Sequence, residues 1–250
     1  MPFRVHLVRL VDWVAIKCAH YILVESDKQK KYFTETLGVD EKKCVTVYTG
    51  VDTRIFRIDP LVQKKPTFTV LFRGRIMSEA GVTTIIRSAK LLEDRGVHFL
   101  IIGHGCNQAM QEFNDVLREV APKNVTHIDE QIPFLKLARL MQECHVSLGQ
   151  FAHHDRLRRT IPHKAYESMA LNIPYITARA AGASEVLVDK VTCLMVCPDD
   201  PQDLAEKIMM LFNNDELRSR LASNAYELCA TRFMPSVVVK PLAQLIDMLP

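Results

Sequence analysis

Glycine is scarce in this chain, at nine residues in 250, so each one points to a place where the backbone must turn tightly or approach something closely. Cysteine is present but unpatterned. Seven of them, at 18, 44, 106, 144, 193, 197 and 229, form no CxxC and no zinc-ligand spacing, which excludes a disulfide framework or a zinc module. They read as reduced thiols of a reducing compartment, with Cys193 and Cys197, four apart in a strand-like run, pointing to one face. Charge of one sign is lacking too: the net +3 gives a weak field and argues against a nucleic-acid partner. No hydrophobic run is long enough to span a bilayer. The most apolar early stretch, 5–24, is broken by Arg9, Asp12 and Lys17 and also lacks a signal-peptide core. The expected location is the cytoplasm, at most resting on a membrane surface. No Ser/His/Asp or Cys/His arrangement suggests nucleophilic catalysis. His153, His154 and Asp155 lie together, but adjacent histidines rarely aim at one ion and no third spaced ligand exists, so no metal is expected.

What is there is a soluble globular balance, 48% hydrophobic and 24% charged, arranged in a regular alternation. From residue 67 onward, short β-branched runs at 68–72, 98–102, 125–128, 145–149, 174–178 and 192–196 alternate with amphipathic stretches near 80–95, 106–120 and 133–143. A further helix opens at Pro162, where proline suits the first turn. This pattern predicts an α/β, Rossmann-like parallel sheet with helices on both faces. Helical spacing resumes over 200–212, 214–232 and 235–249. The first fifty residues differ, with a helix near 3–18, strands at 21–24 and 45–48, and a capped helix from Ser26 to Gly38 between them. They are too little for a domain, and 52–65, with Pro60 and then Pro66, reads as a linker.

In such a sheet ligands bind beyond the carboxyl ends of the strands, and three candidates fall there. Arg73-Gly74-Arg75 lets backbone and guanidinium groups approach a diphosphate together, or is a plain turn with solvated arginines. Gly103-His104-Gly105 permits close approach, but the GxGxxG pattern is not completed, because Gln108 holds the sixth place; it either touches the ligand or only turns the chain. The third run places Arg156, Arg158, Arg159, His163 and Lys164 at the start of a helix. Cations there oppose the helix dipole, by roughly 0.3–1 kcal/mol each, which makes sense if an anion sits among them. Glu167, one turn on, suits hydrogen bonds from sugar hydroxyls; the alternative is a solvated basic loop with a weak Lys164–Glu167 pair.

The succession VTVYTGVD (45–52), VLFRGRIMSEAG (70–81), FLIIGHG (99–105), the block 161–187 and the tail 213–233 resembles family 4 retaining glycosyltransferases of GT-B architecture, over nearly the whole chain. The resemblance implies two Rossmann-like domains facing across a cleft, the C-terminal one holding a nucleotide-sugar donor. On that pattern 1–52 is a remnant of the N-terminal acceptor domain with the interdomain crossing, 53–66 a linker, 67–233 the donor-binding domain, and 234–250 a helix returning to the N-terminal domain. It implies that Arg75 contacts the donor diphosphate, Glu167 binds the ribose hydroxyls, and Gly103 and Gly105 line the nucleotide pocket. Arg75, Lys164 and Glu167 are the expected catalytic set. Arg73, Gly74, Gly103, His104, Gly105, Arg158, Arg159, Pro162 and His163 are the expected donor contacts. No cofactor is implied: the nucleotide-diphosphate sugar is substrate, and positive side chains with a helix N-terminus stabilise the departing diphosphate without metal.

Three positions depart from that pattern. The acidic residue usual eight places before Glu167 is Arg159, the lysine expected beside Gly81 is Ala80, and the glycine common after Asp189 is absent. Lys164, with Arg158 or Arg159, is expected to replace the missing lysine's charge. Leu7, Val8, Val11, Trp13 and Val14 are expected to form an exposed apolar face that promotes self-association or recruits a partner chain or membrane. Beside the transferase reading stand a non-catalytic nucleotide-sugar-binding module and a sugar-nucleotide epimerase of the same architecture. The acceptor is not readable.

Overall fold

The computed structural model describes residues 2–247, with side chains described from 10 onward. The chain runs α1 (Pro2–Cys18), β1 (Ile22–Val24), α2 (Asp27–Glu35), β2 (Cys44–Thr46), then β3 (Phe68–Arg73), α3 (Val82–Leu91), β4 (Val97–Ile102) and α4 (Asn107–Val120). There follow β5 (Val125–Ile128), α5 (Phe134–Glu143), β6 (Val146–Leu148), α6 (His163–Ala170), β7 (Tyr175–Ala178), α7 (Ala183–Val186), β8 (Leu194–Val196), α8 (Pro201–Phe212), α9 (Asp215–Arg232), α10 (Pro235–Val238) and α11 (Lys240–Asp247). Six strands form one sheet in the order β5-β4-β3-β6-β7-β8, every neighbouring pair parallel. The order reverses between β3 and β6, the switch point at which doubly wound sheets open a crevice.

Alternation along each strand feeds two cores. Val70, Phe72, Phe99 and Ile101 face one way, against Ile85, Ile86, Phe113 and Ile208 of α3, α4 and α8. Leu71, Leu100 and Ile102 face the other, against Leu137, Met141, Tyr166, Met169 and Cys229 of α5, α6 and α9. Phe72, Phe99 and Ile101 are fully buried. Each such side chain contributes roughly 1.5–3 kcal/mol relative to exposure, and this anchors the strand ends that carry the site.

The first fifty residues form a small unit, with β1 and β2 pairing as a parallel two-stranded sheet. It docks on the large sheet's block through Glu185, whose carboxylate accepts the Asp27 and Lys28 amide N–H groups at 2.7 and 2.9 Å and the Tyr48 hydroxyl at 2.8 Å. Glu185 thus caps the N-terminus of α2, together with Ser26, whose Oγ accepts from the Gln29 N–H.

Some expected features differ. The stretch read as a linker is packed: Phe56 is buried in the second core with Ile55 against it, and the Asp59 N–H donates to Gln142 Oε1 at 2.7 Å. The helix expected over 235–249 is broken into α10 and α11, because Pro241 offers no N–H to continue the ladder; its expected end at Leu249 lies outside the described residues. Cys193 and Cys197 do not share a face. Cys193 is fully buried, whereas the strand ends at Val196 and Cys197 is exposed where the chain turns toward α8. All seven cysteines are free. After Asp189 the residue that takes the left-handed conformation is Lys190, φ 63°. Leu10, Val11, Trp13 and Val14 of α1 are all exposed; the side chains of Leu7 and Val8 lie outside those described. No described helix is long and apolar enough to cross a membrane.

Candidate functional site

Beyond the carboxyl ends of β3, β4 and β5 lies a cleft of about 470 Å³. Arg73, Gly74 and Arg75 come from the end of β3, and Ile102 through Gly105 from the end of β4. Glu130, Gln131 and Ile132 follow β5, with Leu137 of α5 behind them. Its size falls within the range of small-molecule sites. The backbones zip together here. The Gly74 N–H donates to the Ile102 carbonyl at 2.9 Å, the Ile76 N–H to the His104 carbonyl at 2.9 Å, and the Gly103 N–H to the Ile128 carbonyl at 3.1 Å.

The glycines at 103 and 105 have a structural reason. A Cβ on Gly103 would stand 1.9 Å from the Gly74 carbonyl oxygen, and one on Gly105 would stand 2.3 Å from that of Ile76. They let two loops approach, and that same approach builds the cleft wall. His104 is exposed, with its Nδ1 2.5 Å from an Asp129 carboxylate oxygen.

The third sequence candidate meets the first through α6. Lys164 is buried, with its Nζ 3.9 Å from the Phe72 ring centroid and directly behind Gly74. Glu167, one turn on, is also buried, and its carboxylate pairs with the Arg73 guanidinium. Burial lowers the Arg73 pKa to about 10, still charged at neutral pH, and holds Lys164 well below the usual lysine range, with the charge of Arg73 acting in the same direction. Pro162 is the N-cap of α6 and no side chain caps that end, so its first-turn amide groups are open beside the exposed His163. Arg75 is exposed at the cleft.

The remaining arginines go elsewhere. They sit on a 3₁₀ turn, Asp155–Arg158, ahead of α6. Arg159 Nη1 is 2.8 Å from Asp155, and its guanidinium stacks 4.1 Å over the Tyr32 ring of α2. The Ser26 hydroxyl donates to the Arg159 carbonyl at 2.5 Å. Arg158 is exposed, 4.0 Å from Asp155. Arg156 Nη1 reaches the buried Glu79 carboxylate at 2.9 Å, next to Ala80. None of these three lines the cleft, and neither do Pro162, His163, Lys164 and Glu167; Lys164 and Glu167 reach its lining only through Gly74 and Arg73. Sequence reasoning did not single out the Arg73–Glu167 pair or the wall at Glu130–Ile132. The wall was findable, since it follows a strand end as the other two loops do. The pair was not, because it joins positions ninety-odd residues apart.

Among the described residues no group of three His, Cys, Asp or Glu side chains comes together as a metal site. His154 instead accepts the Arg156 N–H through Nδ1 at 3.2 Å.

Comparison with known proteins gives the family and the fold. A capsular polysaccharide biosynthesis glycosyltransferase, CapM, of Staphylococcus aureus is 25% identical over 256 residues, covering 96% of this chain and 64% of its own length. The uncharacterized glycosyltransferase MJ1178 of Methanocaldococcus jannaschii is 28% identical over 213 residues, covering 83% of this chain and 56% of its own. The chain therefore spans less than two thirds of the length of these relatives. In fold it is similar to Anabaena HepE, crystallised in complex with UDP-glucose, with a TM-score of 0.85 at 18% identity over 96% of this chain and 67% of that one. The parallel sheet flanked by helices is the architecture of these GT-B neighbours. Residues 67–214, which contain all the cleft-lining loops, match the family described as glycosyl transferases group 1, and the chain belongs to that family.

Proposed function

We propose that the cleft holds the nucleotide diphosphate of a sugar donor, and that the protein transfers the sugar to an acceptor with retention of configuration, as in family 4, without a bound metal. One observation carries this reading. The exposed Arg75 lines the cleft together with Ile132 and Leu137, and the buried Lys164, on a helix whose N-terminus no side chain caps, stands against Gly74 of the same lining. Cationic groups and open amide N–H groups suit a diphosphate. An apolar wall with an amide nearby, Gln131, suits a nucleoside.

Arg75 and the α6 N-terminus receive the diphosphate, and Lys164 supplies the charge that the expected lysine at 80 would have given. As the glycosidic bond to the donor breaks, these groups stabilise the negative charge growing on the leaving diphosphate. Glu167, oriented by Arg73, accepts hydrogen bonds from ribose hydroxyls. Arg158 and Arg159 act on the loop rather than on the ligand. The donor domain is 67–233, working in the cytoplasm.

Lys164→Ala is expected to weaken binding of UDP, GDP or ADP far more than binding of the matching nucleoside, by roughly tenfold or more for a charge-assisted contact of about 1.5–3 kcal/mol. Titration calorimetry with the pair measures it; equal losses for both would remove the assignment. A second reading is favoured by the basic Arg159 at the position where the family resemblance expects an acid. On that reading the chain is a nucleotide-sugar-binding module that needs a partner chain. Donor binding without turnover, restored by a separately supplied N-terminal domain, would select it.

A further inference from the structure

Of the three arginines ahead of α6, Arg156 alone makes no ion pair with Asp155. Its Nη1 reaches instead to Glu79 Oε1 at 2.9 Å, and Glu79 is only 5% exposed. The other Glu79 oxygen meets the Ser78 hydroxyl at 3.3 Å. Burial works against charge on this carboxyl, but its own backbone N–H and then the Arg156 guanidinium outweigh it and hold the group below its ordinary range. Glu79 is a buried anion with Arg156 as its one cationic partner among the described residues.

The pair joins two loops that lie far apart in sequence. One, 74–81, leaves β3 with Arg75 in the cleft and ends on the turn Ser78–Ala80. The other, 149–162, leaves β6 and ends at Pro162, the N-cap of α6. Their backbones meet at one place. The Phe151 N–H donates to the Ala80 carbonyl at 3.1 Å, and a Cβ on Gly81, φ 63°, would stand 2.5 Å from the Ala152 nitrogen. Arg156 adds the only side-chain hydrogen bond or ion pair between the two loops among the described residues. Its own carbonyl accepts the Arg159 and Thr160 N–H groups at 3.1 and 3.2 Å and the Thr160 hydroxyl at 3.1 Å. The backbone of Arg156 thus sets the approach to α6 while its side chain grips the Arg75 loop. As a source of stability the pair is weak, because the Arg156 side chain is 57% exposed and solvent screens it.

We propose that Arg156 is a positioning residue of the donor site, whose pair with Glu79 locks the Arg75 loop to the loop entering α6 so that Arg75 and the α6 N-terminus face one diphosphate. This rests on the donor-site reading above and adds to it that the site needs an anion, Glu79, next to the loop that receives an anionic ligand. The sign of that requirement makes it testable. If Glu79 only competed with the diphosphate for Arg156, or repelled it, neutralising Glu79 would tighten binding. If the pair positions the loops, neutralising it weakens binding.

The test is titration calorimetry of the full chain with UDP-glucose, GDP-mannose and ADP-glucose, using each sugar that binds. Arg156→Ala is expected to weaken the sugar nucleotide by roughly tenfold and the matching nucleoside by less than about twofold, since displaced contacts to the diphosphate are what is lost. Glu79→Gln, which keeps the shape but turns a charge-assisted hydrogen bond into a neutral one, is expected to weaken it by about threefold. Arg156→Lys, which keeps the charge and one donor, is expected to recover most of the loss. Tighter or unchanged binding in Glu79→Gln would overturn the inference, as would unchanged binding in Arg156→Ala or an equal loss for sugar nucleotide and nucleoside. Each of those results leaves the donor site standing. Binding of none of the three sugars by the native chain overturns the donor-site reading itself.

Discussion

At the scale of single residues, the site is built from close approaches that tolerate few replacements. Gly103→Ala would drive a Cβ to 1.9 Å from the Gly74 carbonyl oxygen, so both loop ends must move apart. Overpacking of this kind costs about 1–3 kcal/mol, and here it also opens the cleft wall. The urea midpoint and nucleotide affinity of Gly103→Ala should fall together, whereas retained affinity in a destabilised variant would separate wall from stability. Glu167 presents the opposite case, a charge that matters by its presence. Removing it leaves Arg73 buried beside Lys164 with no counter-charge, and breaking one partner of a buried pair costs on the order of 3–5 kcal/mol. Since both side chains keep some solvent contact, Glu167→Ala should show the low end of that range by denaturant unfolding. A deficit below about 1 kcal/mol would mean that the pair is solvent-screened.

At the scale of elements, the sheet was legible because its strands alternate strictly with helices and end in glycine or turn residues. The run 125–128 reads directly as β5, and Asp200 and Asn214 announce α8 and α9 as capping residues. The stretch 52–65 was not legible: Ile55 and Phe56 carry no period, and only the second core they meet decides that Phe56 is buried. Phe56 meets Phe134 edge-on at 6.3 Å, a contact that spacing along the chain does not announce. Nor was the role of Glu185, which looks like part of the donor block and instead holds α2. Glu185→Ala should speed amide exchange at Asp27 and Lys28 and in the first turn of α2, and leave β3 and β4 protected. Unchanged exchange in α2 would show that Ser26 and the Tyr32–Arg159 stack suffice to dock the unit.

The start of β3 is held in a pH-dependent way. The Thr69 N–H donates to His145 Nδ1 at 3.1 Å, and burial, aided by Lys64 and Arg218, lowers the His145 pKa to about 4. A histidine kept neutral by the fold destabilises it once the unfolded chain gains the proton more readily. The loss therefore begins as pH falls below about 6.5 and is complete near 4. Melting temperature should drop across that window, and His145→Asn, which still accepts the hydrogen bond but does not titrate, should flatten the drop. A wild-type profile flat over that window would exclude His145 as the cause.

At the scale of the whole molecule, three loops distant in sequence meet because the parallel sheet aligns their strand ends on one edge. The carboxyl-end rule brought Arg73–Arg75 and Gly103–Gly105 together from sequence alone. It did not say that Arg158 and Arg159 would turn away to Asp155 and Tyr32. The exposed Leu10, Val11, Trp13 and Val14 add a surface whose polar replacement should reduce self-association in light scattering, if α1 is what drives it. The central claim is that the cleft is a nucleotide-sugar site, and mass action tests it most directly. Ligand at 100-fold its dissociation constant stabilises the fold by about 2.7 kcal/mol. In a thermal-shift panel of UDP, GDP and ADP sugars, at least one is predicted to raise the melting temperature of the native chain by several degrees and to lose most of that shift in Arg75→Ala. No shift with any of them, or an equal shift in Arg75→Ala, would contradict it.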